Sequence, residues 1–521
     1  MHFFLTLTKD GNVGYSPFQE RADQELSVTS FLCAPLSGAT IQAVQEQLRQ
    51  RGPFDFWYRG FRRKEPKLEI VSILKGFGWN ASDLIWKEYS PAPSIGQGPL
   101  VEKENGNEAD QAFNRLTLGR QLSVGDLRSL ARQLKINEDD IIKFAHRNVE
   151  KGRAKWVPAV KPIGNGWQCQ RCGERDVEEW PSQYGMAATC RSCESIGSST
   201  SLDVLYRDER SLLEGPSEVT FQPHWVLTEA QRLASEQVFK FINDPCEETA
   251  LLWAACGAGK TEVCFPSAAW ALRQGKSVLF AAPRQDVIND IAPRLQRDFP
   301  DYPVQVLTGT SPVKFQAGGM VLATTHQVLR FWRAFDVIFM DEMDAFPYQG
   351  SRALEWGLNH ALRQGGKILY LTATPSFETL KAVRQGKKQL IRLPARHHRT
   401  SLPVPYWEKS RHSIEPNGCI GVWASQINLL RVHGPVLVFV PKIAWVDPWI
   451  KCFRRCFPSW RVDERALVQM AGRVGRTREN PEGKVVFIAV RMTPAMRTAV
   501  QWIEEQNRLA IELGLIDIRG S

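Results

Sequence analysis

The chain has 521 residues, 43% of them apolar, which is enough for about three or four packed domains. It contains no apolar run of about 18 residues, and its start lacks a basic lead, so neither a membrane span nor a secretion signal is predicted. The net charge of +10 favours a polyanionic partner, with mere solubility as the alternative. Without an export signal, the 11 cysteines argue against a disulfide framework, and a cytoplasmic or membrane-surface protein is expected.

Residues 1–120 mix short apolar runs with turn formers, which predicts an α+β region without recognisable chemistry. Residues 121–160 are predicted to be a small helical module. Ser123 is a candidate helix cap, and Asp126 three places later completes a pattern close to a capping box. Apolar residues then recur at helical spacing in two groups, which predicts two helices before residue 150.

Two Cys-x-x-Cys pairs stand in residues 161–214, which are predicted to be a zinc module. The four cysteines are Cys169, Cys172, Cys190 and Cys193. The 17 residues between the pairs fall within the range for one four-cysteine zinc site. Four thiolates leave no coordination position open, so the ion is expected to be structural rather than catalytic. Redox use of either pair is the alternative.

Basic and aromatic side chains interleave around the cysteines. This mixture suits single-stranded nucleic acid, because charges follow the phosphates while rings stack on bases. The residues are Lys151, Arg153, Lys155, Trp156, Lys161, Trp167, Arg171, Trp180 and Arg191. Alternatively, the tryptophans pack a domain that is too small for a core of its own.

Upstream of the small-residue loop Ala254–Glu262, Thr228 is a candidate cap of an amphipathic helix, and Gln231 lies in the first turn of that helix. A glutamine at this position can hydrogen-bond an adenine edge, so Gln231 is predicted to bind ATP. The alternative is an ordinary helix start.

The small-residue loop Ala254–Glu262 follows an apolar run and precedes a helical segment. Its glycines let the backbone close around an anion, with N–H groups pointing inward at a helix N-terminus. Lys260 is placed to reach the β- and γ-phosphates, and Thr261 to bind Mg²⁺. The predicted nucleotide-binding residues of the loop are Gly257, Ala258, Gly259, Lys260, Thr261 and Glu262. An ordinary strand-to-helix turn is the alternative.

Strands alternate with helices after the loop, which predicts a parallel sheet with ligands at the carboxyl ends of its strands. Residues 224–392 are therefore predicted to be a first, ATP-binding lobe. The apolar strand 337–340 leads directly into Asp341 and Glu342. Asp341 is placed to hold Mg²⁺ through the water shell of the ion, and Glu342 to orient and deprotonate the attacking water. A helix cap is the alternative role of such an acidic pair.

Residues 393–521 are predicted to form a second lobe. Near its end, Arg473 and Arg476 stand on one helix face, and a guanidinium aimed at the γ-phosphate would stabilise transition-state charge. A basic surface helix is the alternative. Only the 28 residues 441–468 separate an apolar strand, 436–440, from this motif. Since one βαβ unit alone takes about 30 residues, the lobe is expected to be shortened.

In their order along the chain, the phosphate loop, Asp341–Asp344, Thr372–Thr374 and Gln469–Arg476 resemble a superfamily-2 helicase. The four cysteines lie just before these helicase motifs, and residues Asp341–Pro347 have the sequence Asp-Glu-Met-Asp-Ala-Phe-Pro. In both respects the chain is similar to the ComFA family of bacterial DNA-uptake ATPases. The similarity extends over about residues 150–490.

The resemblance implies a RecA-like P-loop motor that couples hydrolysis of ATP with Mg²⁺ to single-stranded DNA during natural transformation. The catalytic residues would then be Lys260, Asp341, Glu342, Arg473 and Arg476. The family also implies a place at the inner face of the cell membrane, beside other competence proteins, and leaves a homo-oligomer open. In such helicases, residues 283–284, 308–309 and 324–327 would touch the DNA backbone, and residues 372–374 would couple the lobes.

Two other functions remain open. The shortened second lobe suggests a zinc- and nucleic-acid-binding protein whose motor no longer works. Replication-restart helicases also carry zinc knuckles, but theirs hold more cysteines and lie between motor motifs, whereas all four here precede the phosphate loop.

Overall fold

The computed structural model describes residues 2–8, 13–17, 28–50, 66–88, 108–164, 166–182, 185–213, 215–409, 485–489 and 491–516. The chain divides into two compact units. Unit 1 comprises residues 1–220, 271–338 and 345–366, and unit 2 comprises residues 221–270, 339–344 and 367–521. Both are mixed α/β, as predicted, and each contains parallel strands.

The N-terminal part of unit 1 is an antiparallel sheet with helices. Its strands are β1 (His2–Thr8), β2 (Val13–Ser16), β3 (Val28–Leu32), β4 (Leu36–Ser37) and β5 (Trp86–Glu88). The helices are α1 (Gly38–Gln50), α2 (Pro66–Gly76) and α3 (Glu108–Leu116). Alternate side chains of β1, Phe3, Leu5 and Leu7, are buried, because successive residues of a strand face opposite sides.

The predicted helical module contains both expected helices. They are α4 (Val124–Leu134) and α5 (Glu138–Glu150), and Ser123 and Asp126 form a complete capping box on α4. The module also contains strands β6 (Gln121–Ser123) and β7 (Ala154–Pro158). Both pair with β12 (Val204–Asp208), which follows the cysteines in sequence. A single three-stranded sheet therefore joins the chain before and after the cysteine pairs.

The cysteines lie on two antiparallel hairpins. The first pairs β8 (Val160–Ile163) with β9 (Gly166–Cys169), and the second pairs β10 (Val177–Ser182) with β11 (Gly185–Cys190).

Unit 1 also contains parallel strands with helices between them. The strands are β14 (Val278–Ala282), β15 (Val304–Leu307) and β16 (Met320–Thr324). The helices are α8 (Gln285–Asp298), α9 (Thr325–Val328) and α10 (Arg352–Ala361). Strands β17 (Phe335–Asp341) and β18 (Leu362–Thr372) begin in unit 1 and end in unit 2.

Unit 2 is built around β13 (Thr249–Ala254), which pairs in parallel with β18 and with β19 (Gln389–Leu393). Its helices are α6 (Glu229–Asn243), α11 (Phe377–Arg384) and α12 (Pro494–Glu512), and α7 (Phe265–Arg273) begins in this unit. Two further strands, β20 (Tyr406–Lys409) and β21 (Val486–Ala489), pair in parallel. The second lobe predicted for residues 393–521 lies mostly outside the described residues.

Within unit 1, the helical module is bonded to the segment that ends α9. The Gln121 backbone N–H donates to the Arg330 carbonyl at 2.8 Å, and its side-chain amide donates to the Leu329 carbonyl at 3.0 Å. The Arg330 guanidinium, 7% exposed, pairs with the capping residue Asp126 and also donates to the Gln327 side chain at 3.0 Å. Arg330 therefore links α9 to the N-cap of α4.

Replacing Asp126 by Asn should destabilise unit 1, because it leaves the buried Arg330 cation without its carboxylate. We expect a loss of about 3 kcal/mol, which lowers the thermal transition of the unit by about 5–10 °C. Circular dichroism melting will measure the shift. Asp139→Asn, at an exposed first-turn position of α5, is the matched control; equal melting of both variants would contradict this account.

Candidate nucleotide site and cysteine cluster

The predicted phosphate loop follows the buried strand β13, as expected, and lies in unit 2. Gly257 and Gly259 have φ angles of 78° and 74°, which glycine adopts without steric cost. The loop continues into a 3-10 turn over Glu262–Cys264 and then into α7. This is the strand–loop–helix arrangement in which backbone amides gather at a helix N-terminus.

Asp341, at the end of β17, bonds to both polar side chains of the loop. Its Oδ1 lies 3.0 Å from Lys260 Nζ, and its Oδ2 accepts from Thr261 Oγ1 at 3.0 Å. Burial alone lowers the pKa of Lys260, but the negative charges of Asp341 and Glu342 outweigh burial, so the pKa is raised. Asp341 and Glu342 therefore stabilise the charged form of Lys260.

The two residues predicted to hold magnesium lie side by side, with Thr261 Oγ1 3.0 Å from Asp341 Oδ2. A hydroxyl and a carboxylate are the oxygen donors that Mg²⁺ prefers, so these residues fit the ion.

Glu342 adopts a left-handed backbone conformation, with φ of 50°, and its N–H donates to Asp341 Oδ1 at 2.7 Å. A non-glycine residue in this region is uncommon, and such strain clusters at functional sites. Asp344, two residues on, accepts from Thr372 Oγ1 at 2.6 Å and from the Thr374 hydroxyl. The acidic motif is thus bonded to the predicted coupling motif.

Gln231 forms a capping box with Thr228 at the start of α6 and is only 7% exposed. Its Oε1 accepts from the Thr228 N–H at 2.9 Å, and its Nε2 donates to the Ala258 carbonyl at 2.9 Å. A Cβ on Gly259 would lie 2.5 Å from that Nε2, so a side chain at this position would displace the Gln231 amide. Both ends of the amide are used inside the protein, and the adenine contact stays a prediction.

Two contacts of the loop had no signal in the sequence. Arg396 Nε donates to the Cys256 carbonyl at 3.3 Å, and His397 Nδ1 lies 3.1 Å from the Gly257 carbonyl. These pairs are 140 positions apart, so only the fold brings them together. Arg473 and Arg476, predicted to act at the γ-phosphate, lie outside the described residues.

The four predicted zinc ligands meet at one point in unit 1. All four Sγ atoms lie within 4.8 Å of one another, and all four cysteines are buried. Cys169 and Cys193 are 3.7 Å apart, as are Cys172 and Cys190 at 3.6 Å. Sulfur atoms around a tetrahedral zinc at about 2.3 Å stand about 3.8 Å apart, so this set fits Zn²⁺.

The sulfur atoms of the cluster are buried and contact one another directly. Buried thiolates this close repel one another unless a cation lies between them. The Cys169 N–H donates to the Glu174 carbonyl, and the Cys190 N–H donates to the Ser199 carbonyl, both at 2.9 Å, which fixes the backbone beside each pair.

Part of the basic and aromatic set around the cysteines is structural. Trp156 is 8% exposed and packs edge-on against Phe3 and Tyr206. Arg171 is 3% exposed and donates to the Gly197 carbonyl at 2.8 Å. The expectation that these two residues contact nucleic acid is therefore wrong, because their side chains are inside the protein. Lys151, Arg153, Lys155 and Arg191 are exposed.

Comparisons with known proteins agree with the class of protein that this site indicates. Residues 224–377 match the family model described as Type III restriction enzyme, res subunit, a helicase-like unit. Competence protein ComFA of Bacillus subtilis is 29% identical over 412 residues, covering 67% of this chain and 88% of the relative. The protein of the same name from Streptococcus pneumoniae is 26% identical over 437 residues, covering 72% and 100%.

Among solved structures, one described as RecG bound to a three-way DNA junction covers 57% of this chain and 47% of its own, at 13% identity and a TM-score of 0.35. That similarity is too low to bear on function. Residues 224–377 thus form a helicase-like domain. Over most of its length the chain is similar to the competence proteins named ComFA.

In the part of the chain that the structure describes, no helix combines the length and the apolar character needed to cross a membrane.

If the cysteine cluster holds zinc, the purified protein should contain about one zinc per chain. Replacing Cys169 and Cys190 together by Ser should abolish metal binding, because two of four ligands are lost. Elemental analysis will measure zinc after gel filtration. Cys246→Ser, at an exposed cysteine outside the cluster, should keep its zinc; full zinc content in the double variant would refute the site.

Proposed function

We propose that the chain binds and hydrolyses MgATP through unit 2 and couples turnover to single-stranded DNA during DNA uptake. The observation that carries the proposal is the position of Asp341, which bonds both Lys260 and Thr261 at 3.0 Å. A lysine and a hydroxyl from a glycine loop, joined to a carboxylate at a strand end, form the usual arrangement of a nucleotide triphosphatase.

Each residue then has a role. The loop amides and Lys260 hold the triphosphate, while Thr261 and Asp341 hold Mg²⁺, which neutralises charge on the transferring phosphate. Glu342 is the base that orients the attacking water. Asp344, bonded to Thr372 and Thr374, transmits the state of the site to the second lobe.

Residues 224–392 are assigned to the first lobe, and residues 393–521 to a second lobe that supplies Arg473 and Arg476. The cysteine cluster of residues 161–214 holds a structural zinc. The similarity of the chain to the competence proteins named ComFA supports work on single-stranded DNA, beside other competence proteins at the inner face of the membrane.

Lys260→Ala should abolish ATP hydrolysis, with turnover reduced at least about 100-fold, because the γ-phosphate loses its cation. Turnover will be measured with and without single-stranded DNA. Lys240→Ala, on the exposed face of α6, is the matched control and should keep the parent rate and its stimulation by DNA.

Hydrolysis by Lys260→Ala at the parent rate would contradict the site. DNA binding without turnover in the parent protein would instead favour the alternative of a zinc- and nucleic-acid-binding protein with a defunct motor.

A further inference from the structure

Side chains from other segments of unit 2 bond to the carbonyl oxygens of the phosphate loop. Three successive carbonyls, those of Cys256, Gly257 and Ala258, each lie within hydrogen-bonding distance of a side chain from elsewhere in unit 2. The partners are Arg396, His397 and Gln231. A carbonyl only accepts, so Nδ1 of His397 carries the hydrogen of that bond.

These bonds fix the direction of the loop amides. In a trans peptide the C=O of one residue and the N–H of the next point in opposite directions. The bond from Arg396 to the Cys256 carbonyl therefore directs the Gly257 N–H away from Arg396. In the same way, the bond from Gln231 to the Ala258 carbonyl directs the Gly259 N–H away from Gln231. The peptide that joins Gly257 to Ala258 is held on both sides. His397 donates to its carbonyl, and its N–H, that of Ala258, donates to the Ala255 carbonyl at 3.1 Å.

Arg396 and His397 belong to residues 394–402, which we call the exit segment because it leaves the sheet after β19. The segment reaches the loop because β19 pairs with β13, and the Ala255 N–H donates to the Leu393 carbonyl at 2.8 Å. Arg396 is 1% exposed, so its bond to the loop is shielded from water.

The far end of the exit segment is held by α12. The Asn507 side chain accepts from the Leu402 N–H at 2.7 Å and donates to the Leu402 carbonyl at 2.8 Å. Beyond the segment, β20 pairs in parallel with β21. Strand β21 follows the predicted motif Gln469–Arg476 in the sequence. The exit segment thus connects the phosphate loop with the C-terminal helix.

We propose that Arg396 and His397 are positioning residues that hold the phosphate loop in its anion-binding form and transmit nucleotide occupancy to the exit segment. The inference rests on the proposed function, because it requires that the loop binds a nucleotide. Neither residue touches the nucleotide; both act through the loop carbonyls.

The test measures binding of a fluorescent ADP analogue with Mg²⁺, together with amide hydrogen exchange in a peptide covering residues 394–402. His397→Leu removes the donor and should weaken binding about three- to tenfold, the effect of one lost hydrogen bond. In the parent, nucleotide should slow exchange in the exit segment, and in His397→Leu this slowing should disappear. KM for ATP should rise more than kcat falls.

His397→Asn keeps an N–H near the place of Nδ1 and should bind within about twofold of the parent. His398→Leu is the matched control, because the His398 ring contacts Thr400 of the same segment at 2.6 Å. Arg396→Lys, which keeps the charge without the Nε donor, provides a second test and should also weaken binding.

Parent-like binding and parent-like exchange in both His397→Leu and Arg396→Lys would overturn the inference while leaving the proposed function intact. Equal losses in His397→Leu and His398→Leu would also overturn it, since the effect would then belong to the segment as a whole. A parent protein that binds no nucleotide would refute both proposals at once.

Discussion

The carboxylate of Asp341 is the interaction on which the rest of the candidate site depends. One oxygen contacts the Lys260 ammonium and the Glu342 N–H, while the other accepts from the Thr261 hydroxyl. It is 5% exposed, and a buried charge is stable only when it is paired and hydrogen-bonded. The end of β17 and the phosphate loop therefore have to meet, which requires the parallel sheet between them.

Local patterns in the sequence were enough to predict the elements that carry this site. Thr228 and Ser123 cap helices as predicted, because a helix cap depends only on residues close by in sequence. The strand that ends at Asp341 was recognisable as a short apolar run. The cysteine cluster was predictable as well, since two tight pairs can share one tetrahedral ion.

Other features could not be read from the sequence because they depend on contacts between distant segments. Strand β12 pairs with β6 and β7 across the whole cysteine region, so the helical module and the cysteine hairpins share one framework. The sequence left two roles open for Trp156, base stacking and packing, and the residue packs against Phe3 and Tyr206. Its ring chemistry is the same in both roles, and only burial distinguishes them.

The state of Lys260 shows why the fold can keep a cation in this position. Burial disfavours its charge, and the paired carboxylates of Asp341 and Glu342 restore it. Both carboxylates come from the end of β17, whereas Lys260 comes from the loop after β13, so the charge balance holds only while the loop keeps its shape. Side chains that hold the loop carbonyls, Gln231, Arg396 and His397, thereby also maintain the electrostatics of the site.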